Sequence, residues 1–528
     1  MKFPLGIQAF EKIRRGGYAY VDKTDLVFRL ANDGQAYFLS RPRRFGKSLL
    51  ISTLEAYFMG RRELFGGLRV EAMEKEWARH VVLRLDFSNG NYADRGELPA
   101  KIDDALFHWE EEFGVTPRGE SLAVRFGNVI RAARRLSGRG VVVLIDEYGK
   151  PILDTLGADM PVAAAGGTET AQEANRNMLR GFYATLKEQD ANLRFVMLTG
   201  VTKFSQVTVF SGLNNLEDIS LSASYDTLCG VTPQELEDVF GREVDAFAAK
   251  RGWTPAKARD ELRRRYDGYH FSEALADVYN PHSLISALKK GKIEDYWFQT
   301  GTPSYLVRLL SRGGMSLDTL AGKFYGADEF ASYRANDEAP LPMVFQSGYL
   351  TIKAYDELTE SYKLDFPNEE VSRGLLQVAA EAHFDSGTKS SALVRQLATA
   401  LARRDMGAFR SALTSFLASI PYTMRRKETE HERERYFQYT FFLILRILST
   451  YVVELECVQS QVRVDCVVKM PADVYVFEFK LDGGAVEALR QIDDRGYARP
   501  YEGGPLAVHK VGVSFSSATG TIEEWQEA

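Results

Sequence analysis

Residues 35–58 read QAYFLSRPRRFGKSLLISTLEAYF. The stretch begins with a short apolar run, typical of a buried strand, and ends with apolar residues at helical spacing. Between the two, Gly46, Lys47 and Ser48 stand where the chain must turn into the helix. Backbone amides at the start of a helix bind phosphate oxygens, and the helix dipole favours negative charge there. The pattern therefore predicts a strand, a phosphate-binding loop and a helix.

Side chains in this loop suit a nucleotide triphosphate. Lys47 is predicted to reach the terminal phosphates, and the Ser48 hydroxyl is predicted to help hold Mg2+. Arg43 and Arg44 are further candidate cations for the phosphates, and with Arg194 they are the candidates for an arginine finger. Arg41 occupies the position of the first glycine in the usual G-x-x-x-x-G-K-S pattern. Because arginine does not adopt positive φ freely, the loop is expected to follow a different path.

Two further apolar runs end in polar residues. Residues 141–147 read VVVLIDE and residues 194–199 read RFVMLT. Continuous apolar runs are typical of parallel strands buried on both faces, and ligands bind at the carboxyl ends of such strands. We therefore predict that Asp146 holds magnesium through water, that Glu147 polarises the attacking water, and that Thr199 senses the γ-phosphate. The predicted fold class is α/β, with a P-loop NTPase parallel sheet at the N-terminus.

Several motifs between residue 3 and about residue 370 resemble the AAA-ATPase-like family of prokaryotic proteins. They are residues 6–10 (GIQAF), 20–24 (YVDKT), 41–48 (RPRRFGKS), 145–148 (IDEY) and 210–215 (FSGLNN). In that family the RPRRFGKS loop is the habitual form, so the resemblance makes the missing glycine a family trait. It implies ATP as the nucleotide and Mg2+ as its partner.

The last hundred residues contain a second candidate site. Asp465 and Glu478 lie on two apolar runs joined by a turn, so a hairpin would bring both carboxylates together. Glu478 and Lys480 alternate with Phe479 and therefore share one face of their strand. Carboxylate oxygens suit Mg2+ or Mn2+, and a lysine beside them can orient water and offset charge that develops on a phosphate. This pattern predicts metal-dependent phosphodiester chemistry.

This arrangement is similar to the PD-(D/E)XK nuclease superfamily, whose fold is a restriction-endonuclease-like α/β domain. The match is carried by residues 463–465 (RVD), 477–481 (FEFKL), 488–492 (ALRQI) and 496–497 (GY). The resemblance implies metal binding by Asp465 and Glu478, catalysis by Lys480, and support from Gln491 and Glu434. It also implies DNA or RNA as the partner.

The region between the two sites is predicted to be mainly helical and rich in aromatic residues. Aromatic side chains can stack on nucleic-acid bases, but clusters of this kind are more often core packing. The expected organisation is a P-loop domain at 1–222, a helical lid or connector at 223–385, a helical linker at 386–426 and a nuclease-like domain at 427–528.

Composition narrows the function classes. The formal net charge of −6 argues against wholesale coating of nucleic acid and still allows a local basic channel. Three cysteines without metal-ligand spacing fit a reducing cytoplasm. We found no secretory signal and no run of roughly 20 apolar residues, so we expect a cytoplasmic protein without a membrane anchor. A homo-oligomer is compatible with the sequence.

Two functions follow from these observations. In the first, an ATPase is coupled to a Mg2+-dependent nuclease that cleaves DNA or RNA. In the second, the chain is a nucleotide-dependent switch or scaffold whose C-terminal domain binds nucleic acid or protein without cleavage. Metal-dependent cleavage discriminates between them.

Overall fold

The chain divides into two compact units. The structure, a computed structural model, describes residues 1–94, 96–117, 119–155, 170–204, 215–298, 320–332, 341–384, 389–419, 454–460, 463–470, 472–516, 518–519 and 521–528. The N-terminal unit comprises Met1–Leu306 and Leu320–Val371, and the C-terminal unit contains Ser372–Ala528. Each unit carries one of the two candidate sites.

The first part of the N-terminal unit alternates strands with helices. Its elements are α1 (Phe10–Gly16), α2 (Thr24–Asp33), β1 (Ala36–Ser40), α3 (Lys47–Phe58), α4 (Arg69–Met73), β2 (Val82–Asp86), α5 (Glu97–Phe113), α6 (Leu122–Ser137), β3 (Val141–Asp146), α7 (Lys150–Leu153), α8 (Ala171–Glu188), β4 (Leu193–Gly200) and β5 (Glu217–Asp218). This alternation is the pattern that produces a parallel sheet with helical crossovers.

These five strands form a parallel sheet in the order β2-β3-β4-β1-β5. All residues of β1 and β3 are buried, which explains their continuous apolar sequences. β4 lies between β1 and β3, and its register pairs Ser40 with Gly200. Because the strands are parallel, the ends of β1, β3 and β4 meet at one edge of the sheet. The predicted α/β fold of this region is confirmed.

The rest of the N-terminal unit mixes helices with a small sheet. Its elements are α9 (Pro233–Lys250), α10 (Pro255–Tyr266), α11 (Pro281–Lys290), β6 (Lys323–Gly326), α12 (Ala327–Phe330), α13 (Leu341–Gln346), β7 (Thr351–Asp356) and β8 (Ser361–Asp365), followed by α14 (Glu369–Phe384). Helices α9, α10 and α11 begin at side-chain caps on Thr232, Thr254 and Asn280. The antiparallel sheet β6-β8-β7 was not expected in a region predicted to be mainly helical.

The C-terminal unit is built on a mixed sheet. Its further elements are α15 (Lys389–Ala402), α16 (Met406–Ser419), β9 (Glu454–Ser460), β10 (Arg463–Lys469), β11 (Asp473–Leu481), α17 (Ala485–Arg495), β12 (Ala507–Ser516) and β13 (Thr521–Glu527). The strand order is β13-β12-β11-β10-β9. Only the β11–β12 pair is parallel, and α17 forms the crossover between these two strands. The predicted second α/β domain is confirmed.

None of the helices in the described part of the chain combines the length and apolar character that crossing a bilayer requires.

Candidate active sites

The loop after β1 turns sharply into α3. Arg44 has φ 69° and Gly46 has φ 101°, so the left-handed turn falls partly on a non-glycine residue. Lys47, the first residue of α3, is buried. Its ammonium donates to the carbonyl oxygens of Arg41 (3.0 Å) and Pro42 (3.2 Å). The loop therefore wraps around the lysine side chain.

Acidic and hydroxyl groups from β3 and β4 meet beside this loop. The Thr199 hydroxyl donates to Oδ1 of Asp146 at 2.7 Å, and both residues are fully buried. Among the described residues, Oδ2 of Asp146 has no hydrogen-bond partner. Glu147 lies 3.3 Å (Oε1) from the Lys47 ammonium. The fold therefore brings Lys47, Asp146, Glu147 and Thr199 together, as their positions at strand ends predicted.

Glu147 has a backbone conformation that is unusual for its residue type. Its φ of 53° lies in the left-handed region, which costs a non-glycine residue of order 1 kcal/mol or more. The chain holds this conformation through hydrogen bonds on both sides: the Tyr148 amide donates to the Thr199 carbonyl, and the Lys150 amide donates to the Glu147 carbonyl. The carboxylate is therefore aimed by a constrained turn.

Other predicted loop residues are more accessible. The side chains of Arg43 and Arg44 are exposed, and Ser48 is half-buried at the first turn of α3. Arg194, a further candidate cation, lies near the start of β4, whereas Thr199 lies near its end. Five residues of strand separate them by roughly 16 Å. Arg194 therefore lies far from the carboxyl edge, while Arg43 and Arg44 stay beside it.

Arg41 has a role that its sequence position did not reveal. Its guanidinium is buried and donates to the carbonyl oxygens of Ser40 (2.9 Å), Ser220 (2.7 Å) and Tyr225 (3.1 Å). It also lies 4.1 Å from the centre of the Phe271 ring. Burial lowers the pKa of this guanidinium to about 10. Where the common loop has glycine, this loop uses a buried cation to bind neighbouring backbone.

Aromatic residues of the middle region pack against the loop from outside. Phe45 contacts Tyr269 and Phe271 edge-on, with ring centres 4.8 and 5.5 Å apart. The Trp297 indole donates to the Arg43 carbonyl at 3.0 Å. The sequence left two interpretations of these aromatic clusters, base stacking and core packing. Core packing describes the residues named here, because all four aromatic side chains are buried.

A buried carboxyl supports the tryptophan. Oε1 of Glu370 accepts a hydrogen bond from the Trp297 amide at 2.6 Å, and only 1% of Glu370 is exposed. Burial raises the pKa of this carboxyl to about 7. Glu370 therefore supports the phosphate loop through Trp297, and its carboxyl has a pKa near neutral pH.

The second site lies on β10 and β11. Their antiparallel register pairs Asp465 directly with Glu478, as the predicted hairpin required. Glu478 is fully buried, and among the described residues neither of its carboxylate oxygens has a hydrogen-bond partner. The Lys480 ammonium lies 3.8 Å from Oε1 of Glu478. It donates to Oε1 of Gln491 at 2.5 Å.

Close packing brings α17, which carries Gln491, onto the sheet. Gly512 pairs with Glu478 in the β11–β12 register. A Cβ atom at residue 512 would lie 2.3 Å from the Ala485 carbonyl oxygen and 3.1 Å from the Leu489 amide nitrogen. Only glycine permits this approach, and the approach lets Gln491 reach Lys480.

Comparison with known proteins agrees with both halves of this description. The family described as "Predicted AAA-ATPase" matches residues 4–210, and the "PD-(D/E)XK nuclease superfamily" matches residues 432–525. A protein of Azotobacter chroococcum mcd 1, described as "Uncharacterized protein in vnfD 5'region", is 38% identical over 520 residues. The alignment covers 98% of this chain and 96% of that protein. The chain belongs to this AAA-ATPase-like family. Its C-terminal domain belongs to the PD-(D/E)XK nuclease superfamily.

Both sites of this AAA-ATPase-like protein fit the cation that their families generally use. Asp146 and Glu478 each present buried carboxylate oxygen without a hydrogen-bond partner among the described residues, and such oxygen is costly unless a cation or donor meets it. Within the described side chains no cluster of three His, Cys, Asp or Glu forms a metal site. The Asp465 side chain and the whole of Glu434 lie outside the described residues, so their predicted roles stay predictions.

Proposed function

We propose that ATP binding and hydrolysis in the N-terminal unit control a Mg2+-dependent nuclease, acting on DNA or RNA, in the C-terminal unit. The observation that carries the nuclease half is Glu478: a fully buried carboxylate without a hydrogen-bond partner among the described residues, in an ion pair with the Lys480 ammonium at 3.8 Å. A protein that folds around such a group gains most when a cation completes the site.

In the nuclease site we assign Asp465 and Glu478 as the ligands of Mg2+, with Mn2+ as an alternative. The cation supplies Lewis acidity toward a phosphate and activates a water nucleophile. Lys480 orients the water and stabilises negative charge that develops on the phosphate. The hydrogen bond to Gln491 supports this role, because it fixes the ammonium on the face that Glu478 shares.

In the nucleotide site we assign Lys47 to the terminal phosphates, with Arg43 and Arg44 as further cations at the loop and Gly46 as its turn. Ser48 and Asp146 would hold Mg2+, and Thr199 would sense the γ-phosphate through its hydrogen bond to Asp146. Glu147 would polarise the attacking water. Nucleotide phosphates would compete with Glu147 and the loop carbonyls for Lys47.

The Azotobacter chroococcum protein supports coupling between the two activities. Its similarity to this chain extends over 520 residues and therefore includes both the ATPase-like and the nuclease-like domain. We also propose that the chain comprises a P-loop domain, a helical lid or connector, a helical linker and a nuclease-like domain, with boundaries after residues 222, 385 and 426. We also propose a cytoplasmic location, since the three cysteines suit a reducing compartment. A homo-oligomer stays compatible with this scheme.

The second candidate function is a nucleotide-dependent switch or scaffold that binds nucleic acid or protein without cutting. The net charge of −6 favours it, because tight and extensive binding of nucleic acid usually draws on a cationic surface.

One assay separates the two functions. The full-length protein is incubated with single- and double-stranded DNA and RNA, with Mg2+ or Mn2+, and with or without ATP. Lys480→Ala is expected to lower cleavage by about 10²–10³-fold. Lys510→Ala, on the neighbouring strand and paired with Asp493 at 2.8 Å, is the matched control and should cleave normally.

Lys47→Ala tests the coupling in the same assay. It should remove the dependence of cleavage on ATP while the metal requirement stays. If wild type and Lys480→Ala are equally inert while ATP still binds, the nuclease assignment is wrong and the switch remains.

A further inference from the structure

Two of the three cysteines are paired in the sheet of the C-terminal unit. The register of the antiparallel strands β9 and β10 places Cys466 directly opposite Cys457. Asp465, which the proposed nuclease site uses, directly precedes Cys466. The third cysteine, Cys229, is buried in the N-terminal unit. The paired cysteines therefore adjoin a proposed metal ligand, and neither of the proposed activities uses them.

The hydrogen-bond pattern of β10 determines what kind of pair the two cysteines form. Directly opposed residues of antiparallel strands alternate between hydrogen-bonded and non-hydrogen-bonded pairs. Just after β10 the Met470 amide donates to the Asp473 carbonyl at 2.7 Å, so these two residues form a hydrogen-bonded pair. The register between β10 and β11 has no shift. Cys466 precedes Met470 by an even number of residues, so its pair with Phe477 is also hydrogen-bonded.

The opposite side of β10 has the complementary pattern. Because the backbone groups of Cys466 pair with β11, its pair with Cys457 on β9 is non-hydrogen-bonded. Cα atoms in such a pair are about 4.5 Å apart, and disulfides usually join Cα atoms roughly 4.4–6.8 Å apart. The spacing lies at the short end of this range, and departures from the preferred geometry make a disulfide easier to reduce. The position therefore suits a disulfide that opens and closes.

We propose that Cys457 and Cys466 form a reversible disulfide and that its formation weakens the adjacent metal site. Disulfides in cytoplasmic proteins are usually transient or redox-sensing, which fits the location proposed above. The disulfide itself depends only on the strand register. Its effect on metal binding rests on the proposed nuclease function.

The oxidant is a small-molecule disulfide such as oxidised glutathione. The thiolate of one cysteine attacks a sulfur atom of the oxidant, forms a mixed disulfide and releases one thiolate. The thiolate of the second cysteine then attacks the mixed disulfide and releases the other. Two cysteine thiols are thereby oxidised and one small disulfide is reduced to two thiols, which carry away the two cysteine protons.

Formation of the bond acts on Asp465 through the backbone. Cβ atoms of opposed strand residues are roughly 4.5–5.5 Å apart, whereas a disulfide holds them roughly 3.5–4.5 Å apart. The strands must therefore draw together at Cys466. Asp465 is the next residue of β10 and pairs with Glu478. A displacement of β10 at this point changes the spacing of the two proposed ligands, on which cation binding depends.

The test compares the reduced full-length protein with protein treated with oxidised glutathione. Mass spectrometry is expected to show the loss of two hydrogen atoms and one cross-link, between the tryptic peptides that contain Cys457 and Cys466. Cys457→Ser and Cys466→Ser should each lack the cross-link and retain one glutathione as a mixed disulfide. Cys229→Ala is the matched control and should form the cross-link as the wild type does.

The second measurement is the thermal shift that Mn2+ produces in the absence of nucleotide. Affinity for Mn2+ should fall about tenfold or more in the cross-linked wild type and recover on reduction. The serine variants should bind Mn2+ with unchanged affinity in both conditions. Since the wild type gives both measurements, the test does not depend on the folding of a variant.

Two results would overturn the proposal. One is oxidised wild type without the cross-link between Cys457 and Cys466, and the other is cross-linked protein with unchanged affinity for Mn2+. Failure of the proposed nuclease site looks different, because the reduced protein would then show no Mn2+ shift while the cross-link still formed.

Discussion

The two candidate sites differ in how their charges are balanced. In the N-terminal unit, Lys47 is bound by two carbonyls of its own loop and by Glu147. In the C-terminal unit, Glu478 is buried with no hydrogen-bond partner among the described residues. In the first site the lysine is satisfied internally, so a ligand must exchange partners with it, although Oδ2 of Asp146 has no hydrogen-bond partner among the described residues. The second is incomplete, and a cation would stabilise it. Four experiments test this contrast.

The largest effect is expected for Arg41→Gly, which would restore the common glycine pattern of the loop. Removal of the guanidinium takes its donors from the Ser40 and Ser220 carbonyls, leaves the Tyr225 carbonyl with the Leu228 amide alone, and opens a cavity beside Phe271. We expect a loss of about 3–5 kcal/mol in the free energy of unfolding, measured by urea titration. Arg43→Gly, at an exposed side chain, should cost about 1 kcal/mol or less. If Arg41→Gly and Arg43→Gly lowered the free energy of unfolding by similar amounts, the buried Arg41 guanidinium would not be what stabilises the loop.

The next effect concerns Glu370, which supports the loop through Trp297. Its pKa is raised by burial from 4.5 to about 7. Between these values the folded protein keeps a proton that the unfolded chain has released. Stability should therefore fall as the pH rises from about 4.5 to 7, by about 3 kcal/mol from this group, and level off above pH 7.

Glu370→Gln should remove that portion of the pH dependence, as measured by unfolding at a series of pH values. Glu357→Gln, at an exposed side chain, should leave the profile of the wild type unchanged. An unaltered slope in Glu370→Gln would show that the carboxyl titrates at its ordinary value.

A smaller effect is expected at the incomplete site. In EDTA, Glu478→Gln should change the free energy of unfolding of the C-terminal unit by less than about 2 kcal/mol, because removal of a buried charge is offset by loss of its ion pair with Lys480 at 3.8 Å. The same variant should lose the thermal shift that Mg2+ or Mn2+ produces in the wild type. Glu523→Gln, at an exposed side chain of β13, is the control. A cation shift that persists in Glu478→Gln would place the metal elsewhere.

The smallest effect on binding or stability, as distinct from catalysis, is expected at the nucleotide site, where Lys47 is already paired. Glu147→Gln keeps the size of the side chain and removes its ion pair with Lys47. ATP should then bind about two- to fivefold more tightly, since partly exposed pairs of this kind contribute about 1 kcal/mol or less. Hydrolysis should fall by at least about 10²-fold. If ATP binding weakens instead, the ion pair does not compete with the nucleotide. Glu188→Gln, at an exposed helix end, is the control.

Local patterns in the sequence predicted most of the sheet and of the two sites. The apolar run before Asp146 became a fully buried strand. The short β5, the three-stranded sheet and β13 were missed. β5 has two residues, and the sequence of β13 (TIEEWQE) is mostly polar, so hydrophobic periodicity gives them little signal.

Residue chemistry and chain order were enough to determine the family, the parallel sheet, and the sharing of one strand face by Glu478 and Lys480. The family follows from the resemblance of its motifs, and the other two properties depend on local periodicity, which a sequence displays directly. Tertiary structure alone decided that Arg41 binds three carbonyls, that Lys47 meets Glu147, and that Glu478 is buried without a hydrogen-bond partner among the described residues. Each of these depends on atoms from segments far apart in the chain. Their proximity is set by packing, which no local pattern encodes.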